Sequence, residues 1–334
     1  MSRIAILGGG SWGTALGIVL SRAHRKHEIS LWVHDPALAE TIARDRENRT
    51  YLPGHPLARD VQVTAHVREA VAGAQILIGA IPTAYARAVY SAAAAHVSPE
   101  GIFVSASKGL EPDTHKRMSE VIGEVLALRF APRLAVLSGP SFAAEAAKGE
   151  PTAVVLASHD EALASELQRE FAAPNFRLYT NEDVLGVELA GAMKNVIAIA
   201  AGVCQGLGLG SNPLAALITR GLAEMSRLAA ALGAQPETLM GLAGLGDLVL
   251  TCTGALSRNR QVGIELGKGR SLGEILAGMR MIAEGVGTTA ALLALAREAK
   301  VELPITEQVD AILHHGKSQR EAIRDIMDRA QKRE

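Results

Sequence analysis

Aromatic residues are scarce in this sequence, at 3% of 334 residues. Charge of one sign is also missing: Lys+Arg 34 against Asp+Glu 35 gives a formal net charge of -1. Without a stacking platform for bases or a basic surface to follow phosphates, nucleic acid is not an expected partner. Only two cysteines occur, Cys204 and Cys252, and neither stands in a CxxC or Cys/His ligand spacing. That predicts reduced thiols and no structural metal. No basic-then-apolar leader opens the chain, and no apolar run reads as long enough to span a membrane. No membrane insertion and a cytoplasmic location are therefore expected.

What is present is an alternation of short apolar runs with amphipathic stretches. The runs are "RIAIL", "EISLWV", "VQVT", "QILIGA", "IFVSA", "LAVL", "TAVVLA" and "FRLYT". Several are continuously apolar, as strands covered on both faces must be. This predicts an α/β, doubly wound sheet in the N-terminal part. After about Asn181 such runs stop, and Ala-, Leu- and Gly-rich stretches with helical spacing take over. The expected domains are residues 1–185, carrying the sheet, and 186–334, all-α. The junction near 181–190 has no low-complexity tether and reads as packed.

"RIAILGGGSWGTALGIVLSR" sets Gly8, Gly10 and Gly13 as G-x-G-x-x-G directly after the first strand and at the start of an apolar helix. Such glycines allow a tight turn, close backbone approach to a pyrophosphate and close helix–strand packing, and the helix N-terminus attracts the anion. This predicts a Rossmann-type dinucleotide site. At the end of the second strand His34 precedes Asp35, with Arg44, Arg46 and Arg49 following. The order tolerates NADP and does not exclude NAD, and these groups read equally well as solvated surface.

Two charges stand isolated in apolar sequence. Lys194 is the only charged side chain between Glu188 and Arg220, and Asp247 the only one between Gly241 and Leu256. A buried ammonium needs a partner, and each charge could supply the other's. Such a pair is either structural or catalytic, and a cheaper core would be apolar. Three more polar islands stand out. Lys108 follows the strand "IFVSA", and Ser138, Gly139 and Ser141 follow "LAVL", where open α/β sheets bind ligands. Ser257 reads as a helix N-cap with Arg258 and Asn259 in the first turn. A guanidinium fork, an amide and a hydroxyl at a helix start suit a phosphate dianion, although solvated loop residues would look the same.

Together "GGGSWGTALG", "ASKGLE", "LSGPSFAAE", "GAMKNVIAIAAG", "TRGLAEMSRLAAALGA", "GLAGLGDLVLTCTG", "SRNR" and "ELPITEQV" resemble the bacterial NAD(P)-dependent glycerol-3-phosphate dehydrogenase family over essentially the whole chain. The resemblance implies a helical second domain like that of 6-phosphogluconate dehydrogenase relatives. It implies NADPH/NADP or NADH/NAD as cofactor, reversible reduction of dihydroxyacetone phosphate to sn-glycerol 3-phosphate for phospholipid synthesis, and a homodimer. It places Lys194 as the catalytic proton donor and acceptor. Gly8, Gly10, Ser11, Trp12, Gly13, His34, Lys108, Ala143, Arg258 and Glu284 fall at cofactor positions. Lys108, Gly139, Ser141, Lys194, Asp247, Ser257, Arg258 and Asn259 fall at substrate positions. Trp12 stands where the family often has Tyr or Phe, and Ser141 where Thr is common. "HRKHEIS" is slightly longer than usual before the second strand.

In that reading Lys194 stabilises and protonates the carbonyl oxygen, and Asp247 keeps it oriented and charged. Two other readings stay open on the residues alone. A dehydrogenase of another small hydroxy compound would not need the Ser257–Arg258–Asn259 cluster. A non-catalytic NADP-binding sensor would leave Lys194 and Asp247 unexplained.

Overall fold

A computed structural model describes residues 1–279 and 281–330. Residue 280 and the last four residues of the expected C-terminal domain lie outside the described residues. The chain forms two compact units, one of residues 1–111 and 116–188, the other of 112–115 and 189–334.

The first unit holds one eight-stranded sheet. Its strands are β1 (Ser2–Leu7), β2 (His27–Trp32), β3 (Gln62–Thr64), β4 (Ile76–Gly79), β5 (Ile102–Ser105), β6 (Arg133–Ser138), β7 (Thr152–Ala157) and β8 (Phe176–Asn181). Each coincides with one of the eight apolar runs. Their order is β3-β2-β1-β4-β5-β6-β7-β8. The first six strands are parallel in the doubly wound order, while β7 runs antiparallel to β6 and carries β8 parallel to itself. The reversal has a simple cause. The connection from β6 to β7 carries only the six-residue helix Ala143–Lys148, about 9 Å long, too short to recross a strand of about 20 Å.

Alternate residues feed two cores. Ile4, Ile6, Ile29, Leu31, Ile76, Ile78 and Val104 join one cluster, and Ala5, Leu7, Leu77 and Phe103 the other. Burial on both faces is why the strands read as continuous apolar runs. Chain order reverses between β1 and β4, so the crevice beyond their carboxyl ends is the switch point where such sheets take ligands.

The long helix Val184–Gly206 starts in the first unit and carries Lys194 in the second. It corrects one expectation. By length and composition this helix could cross a membrane, yet 89% of its most apolar stretch is buried inside the protein. A core helix of a large protein is apolar all round for the same reason as a membrane span, since no face meets water.

Glycines bring this helix against the helix Arg258–Gly267. A Cβ on Gly202 would lie 2.0 Å from the Arg260 carbonyl oxygen, and one on Gly263 2.0 Å from that of Ile199; Gly206 and Gly267 repeat the contact one turn on. Two small-x-x-x-small rows thus let the backbones touch, as close helix pairs require. Elsewhere in this unit the buried carboxylate of Glu224 accepts the backbone N–H groups of Ile305 (2.9 Å) and Thr306 (3.0 Å). It caps the helix Pro304–His314, whose own N-cap, Leu303, offers no side chain for the purpose. Burial pushes the Glu224 carboxyl above its usual range, and these two amides hold it back.

Because backbone rather than side chain meets the added methyl, Gly263→Ala is expected to lose about 2 kcal/mol or more of stability. Urea unfolding monitored by circular dichroism checks this, and an unchanged midpoint would mean that the helices do not touch there.

Candidate active site

In the first unit the glycine turn has three distinct steric roles. Gly8 has φ +123°, and a Cβ there would meet the Ala80 carbonyl oxygen at 2.4 Å. On Gly13 a Cβ would meet the Gly8 oxygen at 1.9 Å, whereas on Gly10 it would meet nothing within 4 Å. The first two glycines fold the turn onto itself, and the third leaves its outer side open. From Gly10 the helix Ser11–Ser21 begins with no side-chain cap and no acidic residue in its first turn. No side chain of the cap therefore occupies its orphan N–H groups. Trp12 is half-buried, with its indole N–H buried and without a hydrogen-bond partner. Asn48, fully buried, braces the turn from behind through Gly9 O (2.9 Å) and Thr14 Oγ1 (2.8 Å). An anion-accepting helix start and an open glycine edge fit a dinucleotide pyrophosphate.

At the end of β2, His34 is exposed and stands edge-on to Trp32 at 5.8 Å. Asp35 is committed to capping the helix Pro36–Asp45 through the amides of Ala37 (2.9 Å) and Leu38 (3.4 Å). The arginines are engaged too. Arg46 donates to the carbonyls of Ala58 and Val61, while Arg44 and Arg49 pair with Asp45, and Arg49 also with Glu47.

Beyond β5 and β6 the sheet brings Lys108, Gly139 and Ser141 together. Lys108 Nζ donates to Gly139 O at 2.8 Å and lies 3.4 Å from Ser141 Oγ; that hydroxyl also donates to Gly139 O at 2.9 Å. Gly139 makes this turn with φ +124°. Ala143 opens the next helix and packs on the core.

The second unit resolves the isolated lysine. Lys194 Nζ donates to Asp247 Oδ1 at 2.8 Å and to Thr251 Oγ1 at 2.8 Å, with Lys194 only 6% and Asp247 only 1% exposed. The Thr251 hydroxyl donates back to Asp247 O at 2.6 Å, which leaves its lone pair to the ammonium. Both partners lie one turn apart on the helix Asp247–Thr253. A π-helical turn, Leu242–Gly246, leads into it, and its Gly244 has Leu239 O 2.0 Å from where a Cβ would be. Such single π-turns are rare and often lie at functional sites, and this one ends at the residue before Asp247.

Ser257 caps its helix as predicted, its Oγ accepting the Arg260 amide at 3.2 Å. Asn259 points inward. Its Nδ2 donates to Asn195 Oδ1 at 2.8 Å, and its Oδ1 accepts the Gly285 amide at 2.9 Å, beside Glu284. Arg258 is half-buried; burial draws its guanidinium down from its ordinary range, and Glu284 acts against that shift. Thr251 had a readable signal, lying four residues after Asp247 on a helical face. Asn195, Asn48 and Gly285 had none, because their partners are far away in sequence.

Sequence models of the NAD-dependent glycerol-3-phosphate dehydrogenase N-terminus and C-terminus match residues 3–164 and 183–324. The chain belongs to that family. A glycerol-3-phosphate dehydrogenase (NAD(P)+) of Koribacter versatilis is 55% identical over 330 residues, 98% of each chain. One of Acidobacterium capsulatum is 54% identical, again over 98% of each. Among solved structures, glycerol-3-phosphate dehydrogenase from Coxiella burnetii superposes with a TM-score of 0.92 at 37% identity, covering 98% of this chain and 99% of that one. A ketopantoate reductase from Ralstonia eutropha shares the fold at a TM-score of 0.60 and 16% identity, over 96% and 99% of the two chains.

Next to Thr251, burial pushes the Cys252 thiol up to about 12, opposed by the positive charges of Lys194 and Arg260. Cys252 is therefore expected to stay a thiol at pH 8 and to resist maleimide labelling in the native protein. Peptide mass spectrometry before and after unfolding tests this; rapid native labelling of Cys252 would contradict it.

Proposed function

We propose that the protein is an NAD(P)-dependent sn-glycerol-3-phosphate dehydrogenase that reversibly reduces dihydroxyacetone phosphate, supplying glycerol phosphate for phospholipid synthesis in the cytoplasm. The observation that carries this is the buried Lys194–Asp247–Thr251 cluster in a chain of this family. In this reading residues 1–185 bind the cofactor and residues 186–334 supply the catalytic and phosphate-binding groups.

NADH or NADPH would be held by Gly8, Gly10, Ser11, Trp12 and Gly13 at the first helix, by His34 at the adenosine end, and by Lys108, Ala143, Arg258 and Glu284. A bound reduced nicotinamide supplies the hydride. As the carbonyl carbon accepts it, the C=O electron pair moves to oxygen, and Lys194 Nζ stabilises that charge and gives up a proton to it. In the reverse direction the neutral amine takes the proton back. Asp247 and Thr251 fix the direction of Nζ, because two acceptors on one helix leave the ammonium little rotational freedom. Ser257, Arg258 and Asn259 would receive the phosphate, with Lys108, Gly139 and Ser141 completing the substrate set. Asn259 supports this role in a specific way. Its oxygen accepts the Gly285 amide and one N–H is given to Asn195, which leaves its second N–H as the donor an anion would meet. Two copies are proposed to form the working unit.

The decisive assay follows oxidation of NADH and of NADPH on addition of dihydroxyacetone phosphate, with unphosphorylated dihydroxyacetone alongside. Turnover confined to the phosphorylated ketone is expected; equal turnover of both would overturn the phosphate-binding assignment. Lys194→Ala is expected to lower kcat by ~10²–10⁴-fold in protein that circular dichroism shows to be folded. Near-native turnover by that variant would remove Lys194 from the proton transfer.

A further inference from the structure

Between the glycine turn and Lys108 stands a polar residue to which the proposed chemistry gives no role. Strands β4 and β5 end together at the pair Gly79–Ser105. One more backbone bond, from the Ala106 N–H to Gly79 O at 2.8 Å, closes their ladder. Beyond it Ile81 is only 4% exposed, so its N–H and C=O need partners where the strands no longer supply them. The Ser107 side chain serves both. Its Oγ accepts the Ile81 N–H at 3.0 Å and donates to Ile81 O, with Gly79 O the next acceptor at 3.4 Å. One hydroxyl thus stands in for the next rung of the ladder.

Building on the roles proposed above for the glycine turn and Lys108, we propose that Ser107 is a positioning residue that ties the cofactor turn to that lysine. On one side Ala80, the residue before Ile81, closes on the turn. Its N–H donates to Leu7 O at 2.8 Å, its oxygen lies 2.4 Å from where a Cβ on Gly8 would be, and its Cβ lies 3.4 Å from one on Gly13. On the other side Lys108 follows Ser107 directly and reaches Gly139 O at 2.8 Å. Residues 80–81 and 107–108 therefore link β1 to β6 across the carboxyl ends of the sheet, where such folds bind ligands. A hydroxyl suits the place because it is at once donor and acceptor. Alanine would leave a buried N–H and C=O unmet, and cysteine would fill the volume while bonding weakly. A loop relieves unmet groups by moving, and the neighbours of this loop are the glycine turn and Lys108. Ser158 is a matched hydroxyl elsewhere in the sheet: buried, it donates to Leu134 O at 2.7 Å near the start of β6 and accepts the Asp160 N–H at 3.2 Å, with no proposed site residue among its partners.

Two constants measured on the full-length protein test this: the Kd of NADH or NADPH, from the change in nicotinamide fluorescence on binding, and the KM for dihydroxyacetone phosphate. Ser107→Ala, shown to be folded by circular dichroism, is expected to raise both by ~10-fold, as the loss of buried hydrogen bonds implies, and to lower kcat by less. Ser107→Cys is expected to move both constants in the same direction, and Ser107→Thr, which restores the hydroxyl, to return them towards wild type. Ser158→Ala is expected to lower the urea midpoint and leave both constants unchanged. Unchanged constants in Ser107→Ala or Ser107→Cys would overturn the tie. So would an equal rise in Ser158→Ala, since lost stability would then explain the effect. Wild type that binds the cofactor without reducing dihydroxyacetone phosphate would overturn the proposed activity, and the cofactor Kd of Ser107→Ala would still decide whether Ser107 positions the turn.

Discussion

Taking an ammonium out of water costs several kcal/mol unless charge and hydrogen bonds meet it where it is buried, and the second unit is organised around meeting that cost for Lys194. The lysine sits midway along an apolar helix with no charged neighbour in sequence. Asp247 supplies the countercharge and Thr251 a second acceptor, both from one short helix. Fixing two acceptors fixes the direction of Nζ, which turns a solvation requirement into an orientation. The same pair that makes the buried charge tolerable also orients it, as the proposed proton transfer requires.

That orientation depends on how closely the helices approach. The glycine rows at Gly202/Gly206 and Gly263/Gly267 let two helices touch at backbone distance. This brings Asn195, the residue after Lys194, within hydrogen-bonding distance of Asn259. Asn259 in turn accepts the first free amide region of the helix Glu284–Glu298 through Gly285. The proposed proton donor and the proposed phosphate residues are thus tied by a short polar relay rather than by separate loops. A side chain at any of the four glycines would pry that relay apart.

The glycines of the first unit do different work with the same absence of a Cβ. Gly8 and Gly13 let the turn close on itself, and Gly10 keeps its outer edge clear. The indole N–H of Trp12 is buried without a partner, and the helix start next to it has no side-chain cap. In both units small residues set the distances, and a few polar groups take their roles from those distances.

All eight strands and the helical character of the second part were legible in the sequence, because burial on both faces and helical spacing leave continuous or periodic apolar patterns. The glycine turn and the isolated charges Lys194 and Asp247 were legible too, since each breaks the pattern around it. The antiparallel turn of β7 was not, because strand direction depends on the length of a connection in space. Nor was the burial of Val184–Gly206, whose composition suits a membrane as well as a core. Asp35 and its neighbouring arginines looked available for the cofactor and are committed to a helix cap, carboxylates and carbonyls. Thr251 acquires its role from the lysine it faces 57 residues away, and Asn195 and Asn48 acquire theirs likewise. The sequence by itself determined which groups are chemically out of place. Tertiary structure alone decided which of them meet, because a hydrogen bond is set by angstroms between atoms and not by the number of residues separating them.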